Sequence, residues 1–530
     1  MRNYLLNSYF LCPLLTLFIV PSCHKDSITT LECARDDDND IIVRSIPEAV
    51  IGERIPNPLD ISIVWEAFNQ LAPEVKSSFT IEDIKPTHKY VAFTPSTDEE
   101  LGALDDIDET IVLLSAYPLD YEVSDGVIVP DPRFMINGYS YRWAYVPIDY
   151  DLSKIECPFI YYYDICCPWA TILTKSKLSR SLADALERKA YELCGIELKP
   201  VKQTKSGFTP YGRVRFYDSD VSAFRGVEGL SIRTVRAIWS SYTHCDSNGY
   251  FTATETYNYA FRYEIHFSRT DFSIRKNDTT SEVIIKYSDY MSPLYKDISD
   301  DEYCYYANIS RAAIVYYYGD NCGLRRPPMR SDNTLKLAIQ ANLGYNLDGS
   351  GNFTSRNFLI LEDRPIVTIY RSTVMYNFST QALYGNTMHE LGHSSHWRHN
   401  QANFNASDHI VKESFAAGVE WILTSNVYPS YAPDYYRLSY TGIVQDLIDG
   451  YGIKTSDKYG AFDNNNVFIE GNAYLSYNDH VTGFTPSQIE EAVRNSRDWD
   501  TWRARMIVDY PDVANVLDIW SAFSYWNTQE

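Results

Sequence analysis

Apolar positions along the chain follow three successive spacings. From about residue 41 to 200, short helical and strand-like runs alternate. Residues 98–104 (DEELGAL) read as helix, and 110–114 as a β-rich run that Pro118-Leu119-Asp120-Tyr121 breaks. Leu178, Leu182, Leu186 and Leu193 then mark one side of a helix that Gly195 can end. From 207 to 275 the period shortens to two. Val214 and Phe216, then Leu230, Ile232 and Thr234, then Phe261, Tyr263, Ile265 and Phe267 fall on alternate positions. Half-buried strands require that alternation, and Asp246-Ser247-Asn248-Gly249 supplies a turn before Tyr250-Phe251. Beyond an acidic, tyrosine-rich linker, ISRAAIVYYYG (309–319) reads as helix and strands are predicted at 335–341, 358–361 and 366–371. Past Tyr431 the runs YTGIVQDLIDG and PSQIEEAVRNSRDWDTWRARM return to helical spacing.

The expected fold class is therefore multidomain: an α+β N-terminal region over 51–205, an all-β sandwich over 206–280 and an α+β domain over 281–530. Ahead of these lie two segments of different character. Residues 1–22 carry one early Arg2 and an apolar stretch from Leu11 to Val20, the layout of a signal peptide and too short to span a bilayer. Residues 23–50 begin polar and acidic (CHKDSITTLECARDDDND) and read as a flexible tether.

Composition changes this picture in two places. A formal net charge of −23 argues against nucleic acid as a partner, since that binding rests on clustered Lys and Arg. The 44 tyrosines suit sheets and binding surfaces that need both a ring and a hydroxyl. Apart from Cys12 and Cys23, the cysteines are Cys33, Cys157, Cys166, Cys167, Cys194, Cys245, Cys304 and Cys322, whose pairing spacing does not decide.

The chemistry concentrates in QALYGNTMHELGHSSHWRH, residues 381–399, where His389, Glu390 and His393 stand in the order H-E-x-x-H. Residues four apart on a helix share a face about 6 Å apart along the axis, so two imidazoles can meet one ion. Zinc accepts neutral imidazole nitrogen and keeps a position open for water, and Glu390 is placed to take a proton from that water. Three residues compete to be the third ligand. Glu413 follows His393 by twenty residues in HIVKESFAAGVEWIL, a helix with Phe415, Val419 and Ile422 on its apolar face and Ser407 or Asp408 as N-cap. Glu420 lies seven residues further on the same face. His399 matches the last ligand of H-E-x-x-H-x-x-G-x-x-H, but His396 occupies the glycine position and no methionine follows Met388 before Met506. Tyr435, Tyr436, Tyr440 and His480, all after these ligands, are candidates to stabilise an oxyanion.

From His389 to about Trp421 the chain resembles the gluzincin, thermolysin-like zinc metallopeptidases, whose H-E-x-x-H helix is followed by a second helix bearing a glutamate ligand at this spacing. The resemblance implies His389, His393 and Glu413 as ligands of one zinc ion per chain, Glu390 as general base, and hydrolysis of peptide bonds in proteins or glycoproteins. It also implies a zincin domain in which an edge strand, with 366–371 as candidate, aligns an extended substrate. Val20 and Ser22 before Cys23 resemble a bacterial lipobox, which implies lipidation of Cys23 and a membrane anchor. The acidic run after it resembles the export signal of surface lipoproteins in the Bacteroidota, and YVAFTPSTDEELGALDDIDETIVLLSAYPLDYEV resembles the N-terminal part of a lipoprotein family common there. Together these imply the bacterial outer membrane, with the protein exposed on the surface. The Gly-Val-x-Gly segment, strand and S-N-G-Y-F order resembles carboxypeptidase-regulatory-like, transthyretin-like modules, which act as spacers or binding modules. The competing expectation is an anchored binding protein or adhesin that uses this module and keeps the zincin fold as scaffold.

Overall fold

The computed structural model describes residues 45–527 except 74–78, 106, 109–110, 169–179, 197–206, 237–238, 258–260, 277–280, 289–291, 331–335, 347–350, 355–365, 374–377, 434, 450–451, 455–459, 463–467 and 471–476. The expected signal peptide, Cys23, most of the tether, Leu178 and the strand at 358–361 lie outside the described residues. Among the described residues there are eleven α-helices mixed with mostly antiparallel sheets, and no helix is long and apolar enough to cross a membrane.

The N-terminal region is built on a three-stranded antiparallel sheet with His88–Phe93 between Arg142–Pro147 and Phe159–Ile165. Strand alternation sends Val91 and Phe93 toward Leu104, Ile107 and Val112, and Tyr90 and Ala92 toward Leu59, Trp143 and Ile165. The expected helix at 98–104 forms as Asp98–Asp105. The expected β-rich run does not form: residues 111 and 112 are turn and bend, and the chain only bridges Trp143 at Ser115. The helix Arg180–Leu193 ends at Gly195, which takes φ 71° while the Ile196 N–H reaches the Tyr191 carbonyl. Residues 46–50, expected as the end of the tether, are pinned to the body. The Ile46 N–H donates to Asp300 at 3.2 Å, and the Ala49 N–H donates to the Val127 carbonyl.

In the middle of the chain two sheets face each other. One is antiparallel and runs Trp239–His244, Ser231–Arg236, Arg262–His266, Ile284–Tyr287, Gly126–Val127. The other is centred on Tyr211–Asp218, with Ala223–Gly226 and Tyr250–Thr252 on one edge and Leu294–Ile298 parallel on the other. Ile232, Tyr263 and Ile265 of the first meet Val214, Phe216 and Phe251 of the second in one apolar cluster. The expected boundary at 280 does not separate the strands. Ile284–Tyr287 and Leu294–Ile298 complete these sheets from beyond it, Gly126–Val127 joins from far upstream, and Phe272–Lys276 leaves to pair with Leu337–Asn346. Alternation tells that a strand is half-buried; it carries no information about which strand lies beside it.

The sheet nearest the candidate site has the order Phe272–Lys276, Leu337–Asn346, Ile366–Thr373, Gly351–Thr354, its first three strands parallel and the last antiparallel. Ile366–Thr373 is therefore internal, and the edge strand on the site's side is Gly351–Thr354, a correction to the expected role of 366–371. Helix Asp301–Tyr318, capped by Asp300, packs on this sheet, with the Tyr305 hydroxyl donating to the Ile369 carbonyl at 2.7 Å. The expected run at 309–319 is the second half of this helix. Its core is continuous with that of the two facing sheets, from Val214 through Ile309 to Trp526.

Candidate metal centre

Helix Thr380–His399 starts at Ser379, whose hydroxyl accepts from the Ala382 N–H, and runs unbroken to Asn400. It carries His389, Glu390, His393, His396 and His399 on one straight rod. His389 and His399 are thus about 15 Å apart along the axis, out of reach of one ion. His399 instead meets the Arg326 carbonyl at 3.2 Å. The glycine break that would have turned the chain back is absent because His396 occupies that place and stays helical. Helix His409–Ser425, with Asp408 at its N-cap, returns alongside, burying the expected Phe415, Val419 and Ile422. The approach is close: a Cβ at Gly392 would stand 3.2 Å from Val419 Cβ.

This approach brings three side chains to one point. Nε2 of His389 lies 3.2 Å and Nε2 of His393 3.1 Å from the same oxygen, Glu413 Oε2. One potential ligand atom from each residue lies within 4.8 Å of the others, and the imidazoles stand nearly perpendicular at 82°. The expected trio is brought together, and it can hold a metal ion. Glu420, the alternative third ligand, has a different place. Its Oε2 faces the far nitrogen of His389, Nδ1, at 3.1 Å, and its Oε1 accepts from the Tyr431 hydroxyl. Glu420 therefore orients His389 and fixes which nitrogen is offered to the ion. A carboxylate holding a histidine ligand from behind cannot also be a ligand at its front.

All five groups are buried; Glu390 is 1% and Glu413 5% exposed. Burial alone would raise the Glu413 carboxyl, yet the charge on His393 and hydrogen bonds from both histidines hold it well below the carboxylate range. Burial would likewise lower His393, but Glu413 wins and raises it. The trio thus selects for a positive charge, which a proton or a divalent cation supplies. Glu390 is not part of that pairing. Burial pushes its carboxyl up to about 8, His393 opposing and Glu413 adding, and its Oε2 has no hydrogen-bond partner. The strand Gly351–Thr354 lies directly over it: a Cβ at Gly351 would stand 2.6 Å from Glu390 Cγ, so only glycine allows this approach. Phe353 fastens the strand by packing on Trp397 and Phe404.

His396 is fully buried between Phe404 and Phe415, with both ring nitrogens unbonded, and burial pushes it down to about 3. It serves as a neutral packing ring. Of the oxyanion candidates, Tyr440 has its ring 5.9 Å from that of His389. Tyr435 packs on Trp526, Tyr436 packs on Tyr440, and His480 is exposed. Sequence reasoning missed His409, whose Nδ1 lies 3.4 Å from Glu413 Oε1 and whose Nε2 meets the Ser439 hydroxyl at 3.3 Å. Its position four residues before Glu413, on the same helix face, was the available signal. A second trio, Asp446, Asp449 and Asp479, has only oxygen donors. Two of these already serve the fold, Asp446 accepting from the Trp526 indole and Asp479 from the Val481 N–H. The described cysteines are all free thiols.

No family model and no curated protein matches the chain. Among solved structures it is similar in part to (S)-allantoin synthase, over 22% of this chain and 48% of that one, at 8% identity and a TM-score of 0.12. The chain spans about half the length of that structure, and so slight a likeness carries no argument about fold or activity.

Proposed function

We propose that the chain is a zinc-dependent metallopeptidase of the gluzincin type that hydrolyses peptide bonds of extracellular proteins or glycoproteins. The observation that carries this reading is the convergence of His389, His393 and Glu413 from two antiparallel helices, with Glu390 beside them and Glu420 behind His389. Two imidazole nitrogens and one carboxylate are the donor set of catalytic zinc with an open position. Zinc bound there supplies Lewis acidity and an activated water. Glu390, its carboxyl raised toward neutrality and its Oε2 unbonded, takes the proton from the attacking water and returns it to the leaving amine. Tyr440 is the candidate donor to the developing oxyanion. The edge strand Gly351–Thr354 offers main-chain groups with which an extended substrate could pair beside the site. We read the paired sheets as a transthyretin-like spacer module before a zincin domain, and Cys23 as the lipidated residue of an outer-membrane lipoprotein exposed on a bacterial surface.

The test is zinc content per chain beside the His389→Ala variant, followed by cleavage of a peptide library with Glu390→Gln as control. Near one zinc in the parent, almost none in His389→Ala, and cleavage that Glu390→Gln abolishes is the expected result. A second reading is an anchored adhesin with the zincin fold as scaffold. It draws support from the burial of Glu390, at 1% exposure, which no substrate bond reaches without displacement of a neighbouring segment. Metal without cleavage of any peptide would favour it.

A further inference from the structure

The segment that follows the second metal helix returns to the centre it has just left. Helix His409–Ser425 stops at Asn426, and Tyr428-Pro429-Ser430-Tyr431 then forms a β-turn. Proline takes the second position, where its fixed φ suits the bend, and the Tyr431 N–H donates to the Tyr428 carbonyl at 2.8 Å. The turn sends the Tyr431 phenol back toward the helix pair. Its hydroxyl donates to Oε1 of Glu420, whose Oε2 faces Nδ1 of His389 at 3.1 Å. Tyr431 thus stands behind the carboxylate that stands behind the ligand.

The helix that carries His389 leaves room for this phenol. Gly385 lies four residues before His389, on the same face. A Cβ there would meet the Tyr431 hydroxyl, and would stand 2.8 Å from the Tyr431 Cζ and 3.1 Å from Glu420 Oε1. Glycine is unfavourable inside a helix relative to alanine, yet only glycine keeps this notch open.

The same turn is held from its other side by the middle sheets. Strand Tyr211–Asp218 alternates exposed and buried positions, which places Asp218 on its inward face as a buried carboxylate. A buried charge needs partners. Asp218 Oδ2 accepts from the Tyr428 hydroxyl at 2.9 Å and lies 3.6 Å from Arg311 and 3.7 Å from Arg225. The next two residues hold the start of the first metal helix. Ser219 Oγ lies 2.9 Å from Thr380 Oγ1, and the Gln381 N–H donates to Asp220 Oδ2 at 2.6 Å. One strand end therefore grips both the start of the helix bearing His389 and the turn beyond the helix bearing Glu420.

We propose that Tyr431 is a positioning residue of the metal centre: seated in the Gly385 notch and anchored through Tyr428 to Asp218, it fixes Glu420 and thereby aims Nε2 of His389. This rests on the reading of His389 as a zinc ligand. A glutamate side chain has several rotatable bonds, and fixing one carboxylate oxygen sets the direction of the other. The middle sheets then support the centre as well as precede it in the chain.

The test compares metal binding by the full chain and its variants, through chelator competition for zinc and the visible absorption bands of the Co2+-loaded chain. Tyr431→Phe removes one hydroxyl, and Gly385→Ala fills the notch while favouring the helix. Each should weaken zinc about fivefold and alter the cobalt bands, with the Tm of the metal-free chain close to that of the parent. Tyr428→Phe, which cuts the link to Asp218, should weaken zinc by about twofold. Parent-like zinc affinity and cobalt bands in a folded Tyr431→Phe or Gly385→Ala chain overturn the proposal alone. So does weaker zinc that comes with a lower Tm and unaltered cobalt bands, since a purely structural role predicts that pattern. Absence of metal binding in the parent overturns the proposal together with the metallopeptidase reading.

Discussion

The helix pair at the candidate metal centre and the cavity under the N-terminal region both bury charge, the first chiefly on glutamates and histidines, the second chiefly on arginines. At the first, Glu413 and Glu420 bracket His389, and Glu390 sits close by, so carboxylates predominate and the site can hold a cation. At the second, the described lining residues include five cations, Arg142, Arg233, Arg269, Arg275 and Lys336, and two carboxylates, Asp105 and Glu282. Glu490 shows a third solution beneath the metal helix, where it accepts from the Arg325 N–H at 2.8 Å and contacts Ser395. Burial pushes its carboxyl up to about 7, outweighing the Arg325 N–H and the charges of Arg325 and Arg494, which oppose it. Buried charge is settled locally, by an ion, a partner or a proton, according to what each pocket can admit.

The largest effect is expected at Glu390. Glu390→Gln should lower peptide hydrolysis by about a thousandfold or more while zinc stoichiometry stays near one. Loss of metal in that variant would make Glu390 a ligand and remove the distinction between base and binding trio. Next in size are the two other glutamates. Glu413→Ala should lose zinc outright at limiting metal, whereas Glu420→Gln should weaken zinc by about 10 to 100-fold by releasing His389 Nδ1. Equal losses in a chelator competition would mean that their roles had been misassigned.

Gly351→Val probes the cover of the site rather than its ligands. The added Cβ meets Glu390 at 2.6 Å and must displace either the base or the strand. A fall in kcat/KM of one to two orders of magnitude with zinc retained is expected, equivalent to about 1–3 kcal/mol. Glu490→Gln should have the smallest effect on catalysis and report on stability instead. The folded-state pKa of Glu490 lies above that of the unfolded chain, so the unfolded chain sheds the proton first as pH rises. Native stability therefore falls between the ordinary carboxylate value of 4.5 and about 7, then levels. The glutamine variant lacks this loss and should gain on the parent by on the order of 2 kcal/mol across that window. Melts from pH 4 to 8 that run parallel would show that Glu490 is not held protonated.

Legibility in the sequence followed distance along the chain. His389, His393 and Glu413 lie within twenty-five residues, in two helices joined through the short helix Gln401–Ala406, so helical geometry and a short connection nearly suffice to place them. The inward residues of the middle strands were legible for the same reason, since Tyr263 and Ile265 need only their own alternation. The role of Glu420 was not, because it sits on the same face as Glu413 and spacing alone cannot tell which carboxylate meets the front of His389 and which the back. The edge strand was misplaced because Ile366–Thr373 has the stronger strand pattern, while Gly351–Thr354 is short and begins with glycine. His409 lay in plain sight four residues before Glu413 and was passed over for downstream tyrosines.

Local in the chain are a helix bearing H-E-x-x-H, a second helix with Glu413 and Glu420 on one face, and strands with one apolar side. These follow from steric and solvent preferences that act over a few residues. Packing of the whole chain sends Phe272–Lys276 from its neighbours to Leu337–Asn346, lays Gly351 on Glu390, and gathers Arg142, Arg233, Arg269 and Arg275 around one space. Those outcomes depend on which surfaces meet when the whole chain buries its apolar area, and no local pattern encodes the partner of a buried face.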